Sequence, residues 1–178
     1  MSELNQTFDR WEFRFKTGNT VVDTLLNMKY HEIMRTIPDL QLNADKLLFP
    51  EDLDIQSYDI GVILGNALDN AIEACKKLKE VEQGEETFIR LYSFSKRKMF
   101  FIRVENSFDG VVIRKKGAEF PATTKSDRKV HGIGLTNIKN TADKYHGGVD
   151  WEVSNKIFTL TVMLKNERSS DNGFWCNK

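Results

Sequence analysis

Apolar residues recur at helical spacing in three stretches of the chain, residues 19–34, 57–78 and 135–145. Residues three or four positions apart lie on the same side of a helix, so each stretch predicts a helix with one apolar face. Residues that favour helix starts or stops flank these stretches and support the boundaries. They are the candidate caps Asn19 and Ser57, the stop Pro38, and the C-terminal signals Gly147 and Gly148.

Runs rich in β-branched and aromatic residues separate the predicted helices. Residues 87–94 and 96–106 predict an antiparallel hairpin, and residues 149–154 and 157–164 predict a second one. Residues 41–55 hold short apolar pieces broken by a proline and by acidic residues, which predicts a brief strand and a loop. This order of elements predicts an α+β fold, a two-layer sandwich in which a mixed sheet is covered on one face by helices.

Composition narrows the class of protein. The chain has 178 residues, of which 40% are hydrophobic, so it can bury the core of one domain. Lys plus Arg and Asp plus Glu both total 26, which disfavours nucleic acid as a partner. No apolar run approaches the roughly 20 residues that span a bilayer, so we predict a cytoplasmic chain without a membrane segment. Neither Cys75 nor Cys176 has the spacing of a metal site, and neither is predicted to be catalytic.

The polar side of the stretch 57–78 carries an unusual pair of side chains. Asn66 and Asn70 lie one turn apart, although Asn is a mediocre helix former. Amide oxygens are neutral ligands that can hold Mg²⁺ beside phosphates without adding negative charge. The pair therefore predicts a nucleotide site on this helix. The opposite, apolar side of the helix holds Leu64, Leu68, Ala71 and Cys75.

Two further stretches of the chain also suit a nucleotide. Residues 131–135, His-Gly-Ile-Gly-Leu, come at the start of the third helix, where backbone amides can face a phosphate. Asn106 ends a predicted strand, where its side chain could accept a hydrogen bond from the amine of adenine. Taken singly, the glycines also fit an ordinary tight turn, and a strand-terminal Asn is a common turn residue.

Together these motifs resemble the GHKL ATPases, a family that includes sensor histidine kinases, gyrase B, Hsp90 and MutL. NALDNAIEA resembles the N box of that family, HGIGLTNIK its G2 box, and VENSFDG stands where the adenine-binding G1 box belongs. The resemblance covers about residues 17–164. Within the family, TGNTVVDTLLNMK, NSFDG and TTK most resemble quorum-sensing receptors of the accessory-gene-regulator type.

The resemblance implies ATP and Mg²⁺ as ligands and assigns roles to residues. Asn70 would ligate Mg²⁺, and Asn66 would contact a phosphate or the metal shell. Residues 107–130 are poor in apolar side chains and predict a long loop, whose Thr124 and Lys125 would belong to an ATP lid. The implied nucleotide-binding set is Asn66, Asn70, Asn106, Asp109, Gly110, Thr124, Lys125, His131, Gly132, Gly134 and Leu135.

The chain departs from the family pattern in three ways. Asn106 stands where most members carry the adenine-reading Asp, and Asp109 is the alternative reader if the register shifts. The G1 glycines are reduced to Gly110, and SNKIFTLTV lacks the usual GT pair before the last strand. Position 66 is Asn where gyrase and Hsp90 carry a Glu that activates water, which favours phosphoryl transfer over hydrolysis.

HEIMRTIP, beginning at His31, superficially resembles the phosphoacceptor box of histidine kinases. A phosphoacceptor helix needs a second long helix after it, whereas Pro38 follows at once, so we interpret His31 as an ordinary residue of a domain helix. We therefore expect the acceptor histidine on dimerisation helices outside this chain, with onward transfer to a response regulator. A non-catalytic docking module and a serine kinase of the anti-sigma type are the alternatives.

This interpretation also divides the chain. Residues 1–18 are a possible remnant of a preceding dimerisation or linker region, whose place in the fold the sequence leaves open. Residues 19–165 would form the catalytic ATP-binding domain, and residues 166–178 a polar tail. The expected partners are ATP, the dimerisation helices of the same receptor and, indirectly, the response regulator.

Overall fold

The computed structural model describes residues 14–82, 84–112 and 133–167. Within these ranges the helices and strands follow the predicted order. In chain order they are α1 (Thr20–Thr36), β1 (Gln41–Lys46), α2 (Ser57–Val81), β2 (Phe88–Lys96), β3 (Met99–Ser107), α3 (Ile133–Lys144), β4 (Gly148–Ser154) and β5 (Ile157–Lys165). Among these residues no helix is long and apolar enough to cross a membrane.

The described strands form one open sheet with the order β1-β2-β3-β5-β4. β1 pairs with β2 in parallel, and the other neighbours pair antiparallel, so the sheet is mixed as predicted. β3 lies between β2 and β5, and its Asn106 is opposite Ile89 on one side and Phe158 on the other. The end of β3 is therefore flanked by strands on both sides.

Burial alternates along the inner strands, as expected when only one face of a sheet is covered. On β3, Phe100, Ile102 and Val104 are buried while the residues between them are partly exposed. Buried residues of all three described helices join these side chains in one core cluster. The prediction of a two-layer α+β sandwich with helices on one face is confirmed.

The apolar side of α2 is buried as the periodicity predicted, and Leu64, Leu68 and Cys75 are each fully inaccessible. The start of α2 differs from the prediction. Ser57 is the first helical residue, and the N-cap is Gln56, whose side chain makes no cap hydrogen bond. Ser57 instead accepts a hydrogen bond at 3.0 Å from Asn19, which caps α1 as predicted.

The end of α3 also differs from the glycine stop that the sequence indicated. The helix ends at Lys144, and the residue with positive φ is His146, at 47°. Gly147 is required for a different reason, because a Cβ on it would lie 1.9 Å from the backbone oxygen of Met163 on β5. The glycine therefore allows the chain leaving α3 to pack closely against the sheet.

The residues just before α1 pack on the same core. Phe15 is 8% exposed, and the backbone amide and hydroxyl of Thr17 both donate to Asp23 of α1. The carbonyl oxygen of Thr17 also accepts from the amide of Phe49 at 2.7 Å. This close approach places Gly18 at φ 86°, in the left-handed region that favours glycine.

Candidate functional site

A stripe of polar residues runs along one side of α2, next to its buried face. Asp59, Asn66, Asn70 and Lys77 are spaced by whole numbers of helical turns, within the scatter of a helix. We call these four residues the polar stripe. Its members contact α3 and the segment after β3, so the stripe faces the side of the domain on which the phosphate and adenine motifs were predicted.

The middle of the polar stripe meets the first turn of α3. A Cβ on Gly134 would lie 3.4 Å from Oδ1 of Asn66 and 3.4 Å from Nδ2 of Asn70. Asn66 donates its own amide hydrogen to the carbonyl oxygen of Val62 at 2.7 Å, which directs its oxygen towards α3. The structure thus brings two predicted motifs together, with the amide pair directly beside the start of a helix.

A cluster of hydrogen bonds holds the first end of the polar stripe. Asp59 is 7% exposed and accepts from Lys144 at 2.9 Å and from the hydroxyl of Tyr145 at 2.7 Å. The same hydroxyl accepts from the backbone amide of Gln56, so Tyr145 binds the N-cap residue of α2. Burial alone would raise the pKa of Asp59, but the two hydrogen bonds and the charge of Lys144 outweigh it and lower the pKa.

An ion pair occupies the other end of the stripe. Lys77 donates to Oδ2 of Asp109 at 2.6 Å, while Oδ1 of Asp109 accepts from the amide of Val111 at 3.0 Å. Burial works to raise the pKa of Asp109, and the bonds from Lys77 and Val111 overcome it, so the pKa is lowered. Gly110 has φ 80°, a turn conformation suited to glycine. Both carboxylate oxygens of Asp109 are thus engaged.

Asn106 lies on the helix-covered face of the sheet and is 3% exposed. Its Nδ2 donates to the backbone oxygen of Ser107 at 2.9 Å. The partner is a carbonyl oxygen, which can only accept, so the amide nitrogen must face it. The orientation of the carboxamide is therefore set, with Oδ1 on the other side.

The side chains of Cys75 and Ser107 lie next to this hydrogen bond. The sequence did not suggest such a role for either residue. The sulfur of Cys75 lies 3.4 Å from the backbone oxygen of Ser107 and 3.5 Å from its hydroxyl. That hydroxyl accepts from the amide of Phe88 at 3.1 Å. Burial raises the pKa of Cys75 to about 11, so the sulfur keeps its proton at neutral pH and can donate it.

The remaining predicted residues divide into two groups. Leu135 is 8% exposed and packs in the core, where it anchors the first turn of α3. The other group, which contains part of the predicted lid and phosphate loop, lies outside the described residues. It consists of Thr124, Lys125, His131 and Gly132.

The donor atoms of the amide pair suit Mg²⁺ only in combination with a phosphate. Among the described residues no group of three or more His, Cys, Asp and Glu side chains could hold a metal by itself. Two neutral amides supply too few ligands for a site made of protein alone, whereas Mg²⁺ bound with a nucleotide keeps phosphate and water ligands. Asn66 and Asn70 fit that second arrangement.

Solved structures of histidine kinases share this architecture. The nucleotide-free catalytic domain of histidine kinase ThkA matches with a TM-score of 0.60 at 18% identity, covering 85% of this chain and 93% of that one. The Acinetobacter baumannii histidine kinase AdeS matches at 0.60 and 14% identity, covering 91% and 73%. The mycobacterial sensor histidine kinase MprB gives 0.52 at 15% identity, covering 83% and 97%. At these identities the likeness establishes the fold.

The chain therefore has the fold of histidine kinase catalytic domains. The family model of the GHKL domain matches residues 55–165, more than half of the chain. The chain belongs to the GHKL domain family, as the N box and G2 box predicted. No curated protein matches the sequence significantly.

Proposed function

We propose that this chain is the catalytic, ATP-binding domain of a two-component sensor histidine kinase. It transfers the γ-phosphoryl group of ATP to a histidine on dimerisation helices outside this chain, from which the group passes to a response regulator. The observation that carries the proposal is the contact between Gly134 and the amide pair Asn66 and Asn70. It joins a helix start, which attracts phosphate, to side chains that suit Mg²⁺.

Each part of this site has a role in transfer. Asn70 holds Mg²⁺ against the phosphates, where the ion neutralises the charge that develops on the transferred group. The backbone amides of Gly132 and Gly134 bind phosphate oxygens. Asn66 contributes an amide, which cannot take a proton from water as a carboxylate does, and this favours transfer to a protein over hydrolysis.

Asn106 is the better candidate for reading adenine. The sequence left Asp109 as the alternative, but both oxygens of Asp109 are occupied by Lys77 and by the amide of Val111. No hydrogen bond from a described residue reaches Oδ1 of Asn106. We assign the base contact to Asn106 and a structural role to Asp109.

We assign the ATP lid to the segment that holds Thr124 and Lys125. Lys125 would neutralise charge on the γ-phosphate, and His131 would border the phosphate loop. A lid that closes over the nucleotide excludes water, which a kinase needs in order to avoid simple hydrolysis. The receptor would belong to the accessory-gene-regulator type, whose sequence motifs this chain resembles.

Titration calorimetry of ATP with and without Mg²⁺ tests the nucleotide site. We expect Mg²⁺-dependent binding that is lost in Asn70→Ala, because this variant removes the metal ligand. Asn43→Ala is the matched control, since Asn43 lies on the edge strand β1 and, among the described residues, its side chain hydrogen bonds only to Asp45. Absence of binding at millimolar ATP would contradict the proposal.

Phosphotransfer requires a second experiment with a supplied dimerisation segment. We expect ATP to label that segment with an acid-labile phosphate, as phosphohistidine is, and Asn70→Ala to abolish the labelling. Acid-stable phosphate on a protein serine would favour the serine kinase instead. Robust self-labelling of the isolated chain at His31 would contradict the proposal that the phosphoacceptor histidine lies outside this chain.

A docking module remains the second candidate, favoured by the reduced G1 glycines and the missing GT pair. Such a module would keep its binding to a partner protein in Asn70→Ala and would transfer no phosphoryl group. A kinase domain would lose transfer in the same variant. A pull-down measures binding to the partner protein, and the labelling assay measures transfer. Both can be run on one preparation of the variant.

A further inference from the structure

Asn106 is held by a hydrogen-bond network that sets the orientation of its carboxamide. We propose that Ser107 and Cys75 are positioning residues which fix the orientation of the Asn106 carboxamide, with Oδ1 as the acceptor for the base, so that the site selects a purine with a 6-amino group over one with a 6-oxo group. The inference rests on the proposed nucleotide site and adds the residues that hold Asn106 in the orientation that reads adenine.

The first step is the orientation of the carboxamide. An Asn side chain that can turn over offers either a donor or an acceptor, and so accepts a 6-amino or a 6-oxo group. Here Nδ2 is bound to the backbone oxygen of Ser107 at 2.9 Å. Reversing the amide would place Oδ1 against the Ser107 oxygen in a position that is 3% exposed, and two acceptors facing each other repel.

The second step is the support of the Ser107 carbonyl. The thiol of Cys75 keeps its proton and lies 3.4 Å from this oxygen, and it comes from α2, the helix that carries the amide pair. The hydroxyl of Ser107 links the sulfur to the amide of Phe88 on the neighbouring strand. The backbone oxygen of Phe88 lies slightly farther from the sulfur, at 3.6 Å, so the Ser107 carbonyl is the nearer of the two backbone acceptors of the thiol.

The third step is the consequence for the ligand. Oδ1 of Asn106 can accept from the 6-amino group of adenine, whereas the 6-oxo group of hypoxanthine or guanine would face it as a second acceptor. A site built around a hydrogen bond rejects an analogue that cannot make it, because buried polar groups are left unpaired. Selection would therefore come from the fixed orientation, without a negative charge on the side chain.

The same network predicts that an aspartate does not improve this position. A carboxylate at 106 has no hydrogen to give to the Ser107 oxygen, so one of its oxygens would face that carbonyl at close range. We expect Asn106→Asp to bind ATP more weakly than the wild-type chain. An increase in ATP affinity in this variant would overturn the inference.

The decisive test compares ATP with inosine triphosphate, which carries a 6-oxo group, by calorimetry with Mg²⁺. We expect the wild-type chain to prefer ATP by at least about tenfold. Asn106→Ala should lose the preference. Cys75→Ala should reduce it, and Cys75→Ser should restore it, because a hydroxyl can donate to the same carbonyl oxygen.

Two controls separate positioning from general stability. Ile33→Val shortens a fully buried side chain of α1, away from the network, and should leave the ATP preference unchanged. Nuclear magnetic resonance should show slow exchange of the Asn106 side-chain amide hydrogens in the free protein, and faster exchange in Cys75→Ala. Equal loss of preference in Ile33→Val and Cys75→Ala would reduce the role of Cys75 to packing and overturn the inference.

The outcomes also distinguish this inference from the proposed function. If the wild-type chain binds ATP and inosine triphosphate equally, the base selection is wrong while the nucleotide site stands. If it binds neither nucleotide, the proposed function fails and the inference fails with it.

Discussion

The two ends of the polar stripe on α2 differ from its middle. At the ends, charged residues are paired: Lys144 contacts Asp59 at 2.9 Å, and Lys77 contacts Asp109 at 2.6 Å. In the middle, the neutral amides Asn66 and Asn70 lie against the backbone at Gly134, and Asn66 donates locally, to the carbonyl oxygen of Val62 one turn earlier. The two ends of the polar stripe thus bind other elements of the domain, and its middle offers uncharged polar atoms.

The difference has a physical reason. A buried charge is tolerated when it is paired and hydrogen bonded, so charged groups suit permanent contacts between elements. A phosphate site must bind a negatively charged group and release it again. Neutral amides can bind that group without repelling it, as carboxylates would. We infer that changes at the ends alter stability and that changes in the middle alter binding.

The largest effect on stability is expected from Asp59→Ala. The variant leaves Lys144 and the hydroxyl of Tyr145 without their acceptor, and we expect a loss of about 2 kcal/mol in the free energy of unfolding. Chemical denaturation measures this loss. Asp39→Ala is the control, because Asp39 is 80% exposed in its pair with Lys79 and should change stability little.

ATP binding by Asp59→Ala, measured well below its unfolding temperature, tests the separation between ends and middle. We expect the affinity to stay close to that of the wild-type chain. A loss as large as that of Asn70→Ala would mean that the ends and the middle do not act separately.

The next effect is on binding and comes from Gly134→Ala. The added methyl group would lie 3.4 Å from both amide side chains and would fill the space between them and the first turn of α3. We expect ATP affinity to fall about tenfold, while stability does not fall, because Ala favours a helix by about 1 kcal/mol over Gly. Calorimetry and denaturation on the same protein check both.

Gly65→Ala is the matched control for that prediction. A Cβ on Gly65 meets nothing within 4 Å, so the same substitution on α2 adds helix propensity in open space. It should raise stability and leave ATP affinity unchanged. Equal affinities for Gly65→Ala and Gly134→Ala would contradict the placement of the phosphate site.

A smaller effect is the response to acid. The pKa of Asp59 is lower in the folded chain than in the unfolded one, because the bonds from Lys144 and Tyr145 outweigh burial, so its stabilisation is present above the unfolded pKa. It is lost as the pH falls through the folded pKa. Denaturation from pH 7 to pH 3 should therefore show a shallower loss of stability in Asp59→Asn. Parallel curves would contradict the assignment.

The smallest effect is expected from Lys77→Met at the other end of the stripe. Lys77 is partly exposed, and an ion pair of this kind contributes about 1 kcal/mol or less. The variant frees an oxygen of Asp109, so it also tests which residue reads the base. We expect the ATP preference over inosine triphosphate to remain, and a change in that preference would favour Asp109.

Local patterns in the sequence were sufficient for much of this domain. The spacing of Asn66 and Asn70 placed both on one side of a helix, and the Asn19 cap and the two hairpins followed from signals within a few residues. The helix stop near Gly147 was predicted for the wrong reason, since the glycine is needed for its approach to β5 and not for a left-handed cap. That approach depends on a strand later in the chain.

The amino-acid sequence by itself determined which helices and strands form and which side of each is apolar, because periodicity and capping act over one or two turns. The tertiary structure alone decided the partners of the polar groups: Tyr145 at the start of α2, Lys77 on Asp109, and Cys75 behind the carbonyl that holds Asn106. These pairs join residues distant in sequence, and a polar side chain does not specify its partner until packing has fixed the distance between the elements.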